Sequence, residues 1–554
     1  MAEETELPFA TTSGGYCETT GVYRSLHHLT HLQRIPTVLS IHTASFILSH
    51  MPTHQSNPAI IDSASDTRVS YLELRHSALS LAAGLHHALG VCKGDIVLLL
   101  SPNTVLYPVM CLAVLAIGAI LSPANPLNTA EELSKQIASS GSRLVISVPE
   151  EEHKFWSSGI PILLTKNDAE HRTELTVEEL IRCCDPAEAP EAGVTQSHTA
   201  ALLYSSGTTG TSKGVVLTHA NLISTISLLR WTVQVKGSGS SGVHLDIIPM
   251  FHVYGLMFFG LGLFSLGATV VLLPKFDFHT MLKAVDRYKV TDIPAVPPVV
   301  LALSKVSQTT KAQYDLSSLR RVTSGAAPLS DEVMEGFRER FPDVEITQGY
   351  GLTESCGATS FTVKEEEVRY RPGSVGQLLP EFCAKVVDVE SKLPLPPSRR
   401  GELWLKSPTV MKGYLDNEDA TKETVVQKGW LRTGDLCYMD DDGFLYIVDR
   451  LKELIKYNGF QVAPAELEAI IQAHPEVLDA AVVPVADKET GQIPMAYVVR
   501  AIDSHLTEEQ MMSFVAAKVA PYKKVRKVKF INSIPRSAAG KILRKQLLMP
   551  VSML

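Results

Sequence analysis

Apolar and polar positions follow two alternating rhythms in the first part of this chain. Segments in which apolar residues recur every three or four positions alternate with short, nearly continuous apolar runs. The first kind of segment predicts helices and the second predicts buried strands. In chain order these are a helix over 38–50, a strand over 59–61, a helix over 71–89, a strand over 95–100 and an apolar helix over 105–121. Strands that alternate with helices predict an α/β fold built on a parallel, helix-covered sheet.

A further strand and helix frame a polar loop near the middle of the chain. The apolar run 200–204 predicts a strand, a series of serine, threonine and glycine residues follows it, and Thr218 begins an apolar-periodic segment that predicts a helix. Ligands of parallel sheets bind at the carboxyl ends of strands, and the loop falls at such an end.

The pattern changes near Leu451, which predicts a boundary between two units. Downstream, a helix is predicted from Pro464 with Leu467 and Ile471 on one face, followed by strands over 480–485 and 495–501, another helix and a basic segment. Residues 1–35 lack clear periodicity and are interpreted as a partly ordered lead-in. The predicted organisation is therefore the lead-in 1–35, a large domain over 36–450 and a smaller domain over 451–554.

Composition supports a globular protein with more than one domain. The chain has 554 residues, of which 45% are hydrophobic and 20% charged. Its net charge of −8 argues against general attraction to nucleic acid. The eight cysteines are scattered without a metal-binding spacing, which indicates a reducing compartment.

Two uncharged stretches approach the length of a membrane span. They cover residues 105–121 and 253–274. Pro108 interrupts the first, and four glycines break the second, which ends in the strand-like run 268–273. Both are interpreted as core, so no transmembrane segment is expected, and the acidic N-terminus carries no secretory signal pattern.

The polar loop has the composition of a phosphate-binding loop. Its glycines let the backbone approach an anion, and Lys213 adds a positive charge. Backbone amides and hydroxyls supply further donors, and the candidate contacts are Ser205, Ser206, Gly207, Thr208 and Thr209. The loop is not a Walker A motif, because Lys213 precedes Gly214 instead of a serine or threonine. A flexible polar linker is the alternative, but the flanking strand and helix favour phosphate binding.

This loop closely resembles that of the adenylate-forming superfamily, which contains acyl-CoA synthetases, luciferases and peptide-synthetase adenylation domains. The variant here is most similar to plant coumarate:CoA ligase-like members, and matching motifs follow in the family's order from about Tyr204 to Lys545. The resemblance implies a large N-terminal domain of helix-covered sheets and a small, mobile α+β lid that pivots at Lys452. It also implies two steps, which convert a carboxylic acid and ATP to acyl-AMP and pyrophosphate, and then acyl-AMP and CoA to acyl-CoA and AMP.

The resemblance carries ATP contacts onto several further residues. The run Gln348-Gly349-Tyr350-Gly351-Leu-Thr353-Glu354 matches the family's second motif, in which the tyrosine faces adenine, the threonine donates to the α-phosphate and the glutamate holds Mg²⁺. Asp435 and Arg450 match the family's ribose contacts. An ordinary turn aspartate is the alternative for Asp435.

The C-terminal motifs imply one lysine for each step. Lys541 lies in a match to the family's signature, where the lysine bridges the substrate carboxylate and the α-phosphate. In the hinge motif, Lys452 and Gln461 match nucleotide contacts and Lys456 faces the acyl adenylate. For CoA, the implied contacts are Lys275, Asn458 and Gly459. Coumarate ligases commonly carry lysine at position 458, so asparagine puts one CoA contact in doubt.

The acyl pocket is where the resemblance to coumarate ligases weakens. His252 matches a family histidine that gates the site or orients the carboxylate, and a buried structural histidine is the alternative. The implied pocket residues are Tyr254, Phe258, Ala326, Gly351, Gly357, Ala358 and Phe361. Gly357 and Ala358 stand where coumarate ligases usually carry proline and valine, which indicates a roomier pocket. Hydroxycinnamates, cinnamate, fatty acids and oxylipin acids all remain candidate substrates.

The C-terminus adds a targeting signal and a basic segment. Ser552-Met553-Leu554 resembles the peroxisomal signal Ser-Lys-Leu and implies a peroxisomal import receptor as partner and the peroxisome as location. Residues 516–547 contain ten lysines and arginines and no acidic residue, which suits either steering of CoA phosphates or a solvated basic face. A luciferase-type oxygenase and a non-enzymatic nucleotide-binding homologue remain alternative functions.

Overall fold

The computed structural model describes residues 11–30, 34–53, 57–167, 175–205, 213–237, 239–458, 460–487, 489–502, 504–537 and 540–548. The described strands assemble into four sheets, two of them mixed and largely parallel, one antiparallel and one formed after residue 454. The helices lie mainly on the two mixed sheets, which confirms the predicted α/β class.

The first mixed sheet carries the polar loop. Its described strands, in spatial order, are Gly413–Tyr414, Lys213–Thr218, Thr199–Ser205, Ile120–Ala124, Ile96–Leu100, Leu144–Ser147 and Ile162–Leu164. The strands from Thr199–Ser205 onward are parallel to one another, whereas Lys213–Thr218 returns antiparallel to Thr199–Ser205. The polar loop therefore connects two paired strands, and the sequence analysis missed the second of them. The predicted helix follows that strand, with Thr218 as its N-cap.

The second mixed sheet carries the second nucleotide motif. Its described strands, in spatial order, are Gln377–Leu378, Gly357–Phe361, Glu345–Leu352, Arg321–Ser324, Asp292–Ala295, Val243–Asp246, Thr269–Leu272, Ile60–Asp62 and Arg68–Val69. The strands from Glu345–Leu352 through Ile60–Asp62 are parallel. The Glu345–Leu352 strand then turns back into Gly357–Phe361 as an antiparallel hairpin.

Helices cover both faces of the mixed sheets. The described α-helices of at least four residues are Thr43–His50, Tyr71–His87, Leu106–Ala116, Ala130–Ser140, Val177–Cys183, His219–Val235, Phe278–Tyr288, Pro297–Ser304, Gln308–Lys311, Asp331–Arg340, Glu365–Arg369, Glu418–Thr424, Pro464–Gln472, Glu508–Ala516 and Arg544–Leu547. Ser70 and Thr129 each begin a helix with a capping box, which satisfies two otherwise unpaired backbone groups.

Alternation along the strands divides the core into layers. In Ile96–Leu100, Val97 and Leu99 pack into the central apolar cluster, while Leu98 and Leu100 pack with Leu133 on the outer face. Successive strand side chains point to opposite faces, so each mixed sheet contacts helices on both sides. Four helices, Thr43–His50, Tyr71–His87, Leu106–Ala116 and His219–Val235, contribute to the central cluster between the two sheets.

Three helices differ in length from their predictions, and one of them is Tyr71–His87, which ends two residues before the predicted residue 89. The first helix of the chain begins at Thr43 instead of residue 38. The apolar helix predicted over 105–121 ends at Ala116, and Ile120–Ala124 is a strand. Gly118, at φ 74°, makes the break, because a left-handed residue cannot continue a right-handed helix. Apolar composition alone does not separate a buried helix from a buried strand.

The remaining two sheets are the antiparallel sheet, which includes the last strands of the large region, and the C-terminal sheet that follows it. The antiparallel sheet contains Tyr16–Cys17, Val22–Arg24, Cys383–Val387, Gly401–Lys406, Trp430–Met439, Val425–Val426 and Leu445–Arg450. The C-terminal sheet contains Phe460–Val462, Ile455–Tyr457, Gly491–Arg500, Val477–Asp487 and Lys527–Phe530, with a core of its own. Within the described residues, no helix is both long and apolar enough to cross a membrane.

Candidate active site

Asp435 and Arg450 meet because their strands pair in register. They are directly opposite each other in the antiparallel pair Trp430–Met439 and Leu445–Arg450. Arg450 Nε lies 3.4 Å from Asp435 Oδ1, and the hydroxyl of Tyr350 donates to Asp435 Oδ2. The hairpin thus joins one sequence motif to another that lies 85 positions earlier.

Asp435 is a buried carboxylate held by donors. Asp435 is only 4% exposed. Burial raises the pKa of Asp435, and the neighbouring Arg450 opposes that shift. A buried carboxylate flanked by a phenol and a guanidinium is well suited to accept hydrogen bonds from ribose hydroxyls.

Glu354 links the second motif to Tyr414, on the strand that pairs with the one following the polar loop. It lies just after Glu345–Leu352, and its Oε1 accepts a hydrogen bond of 3.0 Å from the hydroxyl of Tyr414. The ammonium of Lys213 lies 4.9 Å from the centre of the same tyrosine ring. Tyr414, which the sequence analysis missed, therefore places the Lys213 and Glu354 side chains together.

The donor set around Glu354 is compatible with Mg²⁺ bound mainly by phosphate oxygens. Among the described residues there is no group of three or more histidine, cysteine, aspartate or glutamate side chains that could hold a metal. Mg²⁺ in nucleotide sites commonly uses one or two carboxylates together with substrate phosphates and water. A single glutamate next to a phosphate-binding loop fits that pattern.

Lys541 is half-buried next to the same charged groups although it belongs to the C-terminal region. Burial lowers the pKa of Lys541, and the positive charge of Arg450 lowers it further. Glu354 and Asp435 oppose this shift with their negative charges. Four charged groups from three separate motifs thus act on one another, and the ammonium is directed at the nucleotide motifs.

The segment around Lys541 is held on both sides. Before it, Arg536 pairs with Asp479 at 2.7 Å, and the Ser537 amide donates to the Lys541 carbonyl at 2.7 Å. After it, Arg544 pairs with Glu453 at 2.8 Å and also with Glu468. These arginines were not among the sequence candidates, and only their position inside the C-terminal signature could have indicated them.

The Lys541 segment also touches the large region directly. Gly540 has φ 78°, and a Cβ at this position would approach the Val296 side chain to 3.1 Å. Lys305 donates to the carbonyl of Val477 at 2.8 Å. The C-terminal sheet therefore packs against the second mixed sheet's helices in the arrangement that buries Lys541.

His252 has a defined tautomer. Its Nδ1 accepts a hydrogen bond of 3.3 Å from the Tyr254 amide, so the proton of the neutral ring is on Nε2. Burial lowers the pKa of His252 to about 3, and the charge of Lys541 contributes. At neutral pH this imidazole is a hydrogen-bond donor, which suits the prediction that it orients a carboxylate.

A buried polar pair positions the loop that carries His252. Asn103 donates to Asp246 at 2.8 Å and to the Ile248 carbonyl at 2.9 Å, and it accepts from the Met250 amide at 2.9 Å. These bonds fix the backbone immediately before His252. The sequence analysis did not identify either side chain, since neither belongs to a matched motif.

The predicted acyl-pocket residues fall into two groups. The rings of Tyr254 and Phe258 meet edge to face, with their centroids 6.3 Å apart. The second group lies on the hairpin formed by Glu345–Leu352 and Gly357–Phe361. Gly351 in this hairpin has no room for a side chain, because a Cβ there would lie 2.2 Å from the Gly357 carbonyl oxygen. Gly351 is thus required by the hairpin itself, whatever its effect on pocket size.

The remaining pocket candidates are distributed along the same hairpin and a neighbouring loop. Ala358 is exposed and Phe361 is buried. Ala326 follows the strand Arg321–Ser324 with φ 71°, an uncommon conformation for alanine. Strained backbone of this kind often occurs at ligand sites.

Several predicted contacts are exposed side chains in the present arrangement. Side chains that are exposed comprise Lys275, Lys452, Lys456, Asn458 and Gln461. The Gln348 side chain is buried and donates to the sulfur of Met334 at 3.2 Å, so its amide is occupied away from the ribose contacts. Thr353 and Gly349 lie beside Glu354 and Tyr350, and their contacts to ATP stay predictions.

Other predicted contacts lie outside the described residues. These are Ser206, Gly207, Thr208, Thr209, Gly459 and the terminal Ser552-Met553-Leu554, together with the side chain of Ser205. The described neighbours Lys213 and Gly214 fix where the polar loop ends.

Comparisons with known proteins show the family to which the chain is similar. Residues 49–415 match the family described as AMP-binding enzyme, and residues 466–541 match the AMP-binding enzyme C-terminal domain. A probable CoA ligase of Humulus lupulus is 47% identical, with 96% of each chain covered. The peroxisomal OPC-8:0-CoA ligase 1 of Arabidopsis thaliana is 45% identical over 96% of this chain and 97% of its own. The solved benzoate CoA ligase of Burkholderia xenovorans superposes with a TM-score of 0.81 at 27% identity, covering 92% of this chain and 99% of that one.

Proposed function

The chain belongs to the AMP-binding enzyme family, and from this premise we propose that it joins a hydrophobic carboxylic acid to CoA through an acyl adenylate. It is an acid–thiol ligase of the adenylate-forming superfamily, as the sequence resemblance implied. The proposal adds the two steps, the residues that act in each, and the class of acid.

The observation that carries the proposal is the burial of Lys541 among the nucleotide motifs. A carboxylate attacks the α-phosphate of ATP only when the repulsion between the two anions is offset. The Lys541 ammonium, which interacts with the charges of Arg450, Glu354 and Asp435, would offset it. A carboxylate oxygen then bonds to the α-phosphorus as the bond from that phosphorus to pyrophosphate breaks, which releases pyrophosphate and leaves acyl-AMP.

The other residues would each bind a different part of the substrates. Asp435, Arg450 and Tyr350 would hold the ribose and the adenine side, and Lys213 with the polar loop would hold the phosphates. Mg²⁺, when bound, would be held by Glu354 and phosphate oxygens and would supply charge neutralisation. The His252 Nε2 proton would donate to the acid's carboxylate, which turns its oxygen toward the α-phosphate.

The second step requires a different surface of the C-terminal region. Lys456, Asn458 and Gln461 lie on or beside the hairpin Ile455–Tyr457 and Phe460–Val462, which is exposed here. We infer that the region after Leu451 is a lid that turns at Lys452 and brings this hairpin to the acyl adenylate. Lys275 and the hairpin would then bind CoA, whose thiol attacks the acyl carbonyl and releases AMP.

The acid is proposed to be a hydroxycinnamate, cinnamate, or a fatty or oxylipin acid. Tyr254 and Phe258 provide an aromatic wall, and the described neighbours of Gly351 add little bulk. The peroxisome is the proposed location. Its support is the terminal tripeptide Ser552-Met553-Leu554 and the similarity to a relative named as peroxisomal. A reporter fused to the last ten residues should enter peroxisomes of plant cells, and a diffuse reporter would contradict this location.

The direct test is a product analysis with purified protein. Mg-ATP is incubated with cinnamic, aliphatic and oxylipin acids, with and without CoA, and AMP, pyrophosphate and thioester are measured. AMP and acyl-CoA formed together, and only with CoA present, are the expected result. Acyl-AMP that accumulates without thioester, or an absence of turnover with every acid, would contradict the proposed ligase.

A further inference from the structure

One short helix of the large region contacts the C-terminal region at both of its ends. This helix is Pro297–Ser304. At its N-cap, the Val296 side chain lies against the backbone of Gly540. At its C-cap, the Lys305 ammonium donates to the Val477 carbonyl at 2.8 Å. The helix holds the two contacts roughly 13 Å apart, and two contacts at that separation restrict rotation of one region on the other.

The helix is anchored in the core of the large region. Its Val300 and Leu303 side chains are fully buried, in the same apolar cluster as Phe337 of the helix Asp331–Arg340. Close packing of this kind leaves the helix little freedom to shift. Lys305 itself is exposed, so its substitution leaves no cavity in the core.

On the C-terminal side, the Lys305 contact leads back to the segment that carries Lys541. It falls on the first residue of the strand Val477–Asp487, two positions before Asp479. Asp479 pairs with Arg536 at 2.7 Å, and Arg536 donates to the carbonyl of the residue just before Lys541 at 2.8 Å. The contacts at the two ends of the helix therefore belong to one connected set.

The Lys305 ammonium faces negatively polarised groups of the C-terminal region. Besides the Val477 carbonyl, the Asp479 carboxylate is close enough to act on it. Partial burial lowers the pKa of Lys305, and the negative charge of Asp479 opposes that shift. A cation at this position favours contact between the two regions, whereas a negative side chain would disfavour it.

We propose that Lys305 is a positioning residue that docks the lid on the helix Pro297–Ser304 for the first step only. This inference rests on the proposed two-step function and on the lid that turns at Lys452. Lys305 lies before that pivot and Val477 lies after it, so a turn of the lid separates them and uncovers the helix. Lys305 contacts no substrate, and it acts by holding Lys541 beside the nucleotide motifs.

The first step should then depend on the fraction of molecules in which the lid is docked. The second step, which uses the turned lid, should not depend on the Lys305 contact. A residue that merely supported the fold would affect both steps alike. Separate measurement of the two steps therefore distinguishes a docking role from a structural one.

The test measures both half-reactions of the purified full-length protein by rapid quench. Acyl-AMP formation is followed with Mg-ATP and the acid that is used best, and thioester formation is followed from supplied acyl-AMP and CoA. In Lys305→Ala, acyl-AMP formation should fall by about 3- to 10-fold, since a hydrogen bond from a charged group is lost. In Lys305→Glu it should fall by at least about tenfold, because like charges then face each other. Thioester formation should stay within about twofold of the wild type in both variants.

Two further variants assign the effect to the contact with the lid. Lys305→Arg retains a cationic donor and should recover most of the first step. Lys311→Glu is the matched control, because the Lys311 ammonium also donates to a backbone carbonyl at the end of a helix, that of Arg340, but within the large region. It should leave the ratio of the two steps unchanged. Circular dichroism and thermal unfolding check that the variants fold.

Hydrogen exchange of the protein without substrate gives a second readout. Backbone amides of residues 535–543 should exchange at least about threefold faster in Lys305→Glu than in the wild type, because an undocked segment opens more often. The strand Gly491–Arg500 lies inside the C-terminal sheet and should exchange at an unchanged rate. Faster exchange throughout the C-terminal region would indicate unfolding and contradict a docking role.

The outcomes separate this inference from the ligase proposal. Equal slowing of both steps in Lys305→Glu, or a first step that is unchanged, would overturn the docking role of Lys305 while the ligase stands. A wild-type protein that forms neither acyl-AMP nor acyl-CoA from any acid would overturn the ligase proposal and this inference with it.

Discussion

The segment around Lys541 and the hairpin around Lys456 are two parts of one small region with opposite environments. Lys541 is half-buried next to the charged groups of the nucleotide motifs, and the pKa of its ammonium is lowered by burial and by Arg450. Lys456 stands on the exposed hairpin, paired across it with Gln461. The sequence motifs predicted a substrate contact for both lysines.

From this difference we infer that the two lysines face the substrate in different steps. Arg544 joins the helix after Lys541 to Glu453 at 2.8 Å, just before the hairpin, so the two lysines belong to one packed body. A two-step reaction gives each surface its own step, and substitutions can test this division.

The largest effect is expected from Lys541→Ala. Formation of acyl-AMP should fall by about 10²- to 10³-fold, because a charge aimed at the developing transition state is removed. Thioester formation from supplied acyl-AMP should stay within a few-fold of the wild type. Each step is measured separately by rapid quench. Lys545→Ala, an exposed lysine four positions away, is the control, and equal loss of both steps in Lys541→Ala would refute the division.

The opposite pattern, a loss in the second step with the first step unchanged, is expected from Lys456→Ala. Thioester formation from supplied acyl-AMP should slow by about 10-fold or more, the scale of a lost hydrogen bond to a charged group. ATP–pyrophosphate exchange should be unchanged, since Lys456 is exposed while Lys541 occupies the site. Lys406→Ala, another exposed strand lysine, controls for loss of a surface charge. Slower exchange in Lys456→Ala would place this lysine in the first step instead.

An intermediate effect on both steps is expected from Tyr350→Phe. The nucleotide is bound throughout, so loss of the phenol that donates to Asp435 should reduce each step by about 3- to 10-fold, mainly through a higher KM for ATP in the first step and for acyl-AMP in the second. Tyr446→Phe is a matched control, since Tyr446 donates to Asp440 at 3.2 Å in the same sheet. A change confined to one step would mean that Asp435 does not hold the nucleotide in both arrangements.

The smallest effect is expected from Asn458→Lys. Asn458 has φ 46°, a left-handed conformation that asparagine adopts more readily than lysine. The new charge should lower the KM for CoA by no more than a few-fold, as expected of an exposed ion pair, while the free energy of unfolding falls by about 1 kcal/mol. Asn458→Gly, which tolerates the same φ, separates strain from charge. A gain of tenfold in CoA affinity would show that position 458 is a principal CoA contact.

Local motifs predicted residue identities better than they predicted arrangement. Asp435 and Arg450 were assigned to one ligand from the family's motifs, and strand register explains why they meet. Tyr414 and Asn103 were missed because each acts through a partner far away in sequence, Glu354 in one case and the loop before His252 in the other. No periodicity in the sequence records such a contact.

Secondary structure was predicted well where polarity changes and poorly where it does not. The strand at 200–204 and the helix from Thr218 are confirmed, because polar residues mark their ends. The run 105–121 is apolar throughout, so its division into the helix Leu106–Ala116 and the start of a strand could not be recognised. The strand Lys213–Thr218 was hidden between the polar loop and the helix cap.

The cross-strand pair of Asp435 and Arg450 has a mechanical consequence. Arg450 is the last residue of its strand and stands two positions before the proposed pivot at Lys452. Points close to a rotation axis travel little, while points far from it sweep wide arcs. A ribose bound next to the rotation axis would move little as the lid rotates. The enzyme could then present a different surface of the lid in each step without releasing the nucleotide.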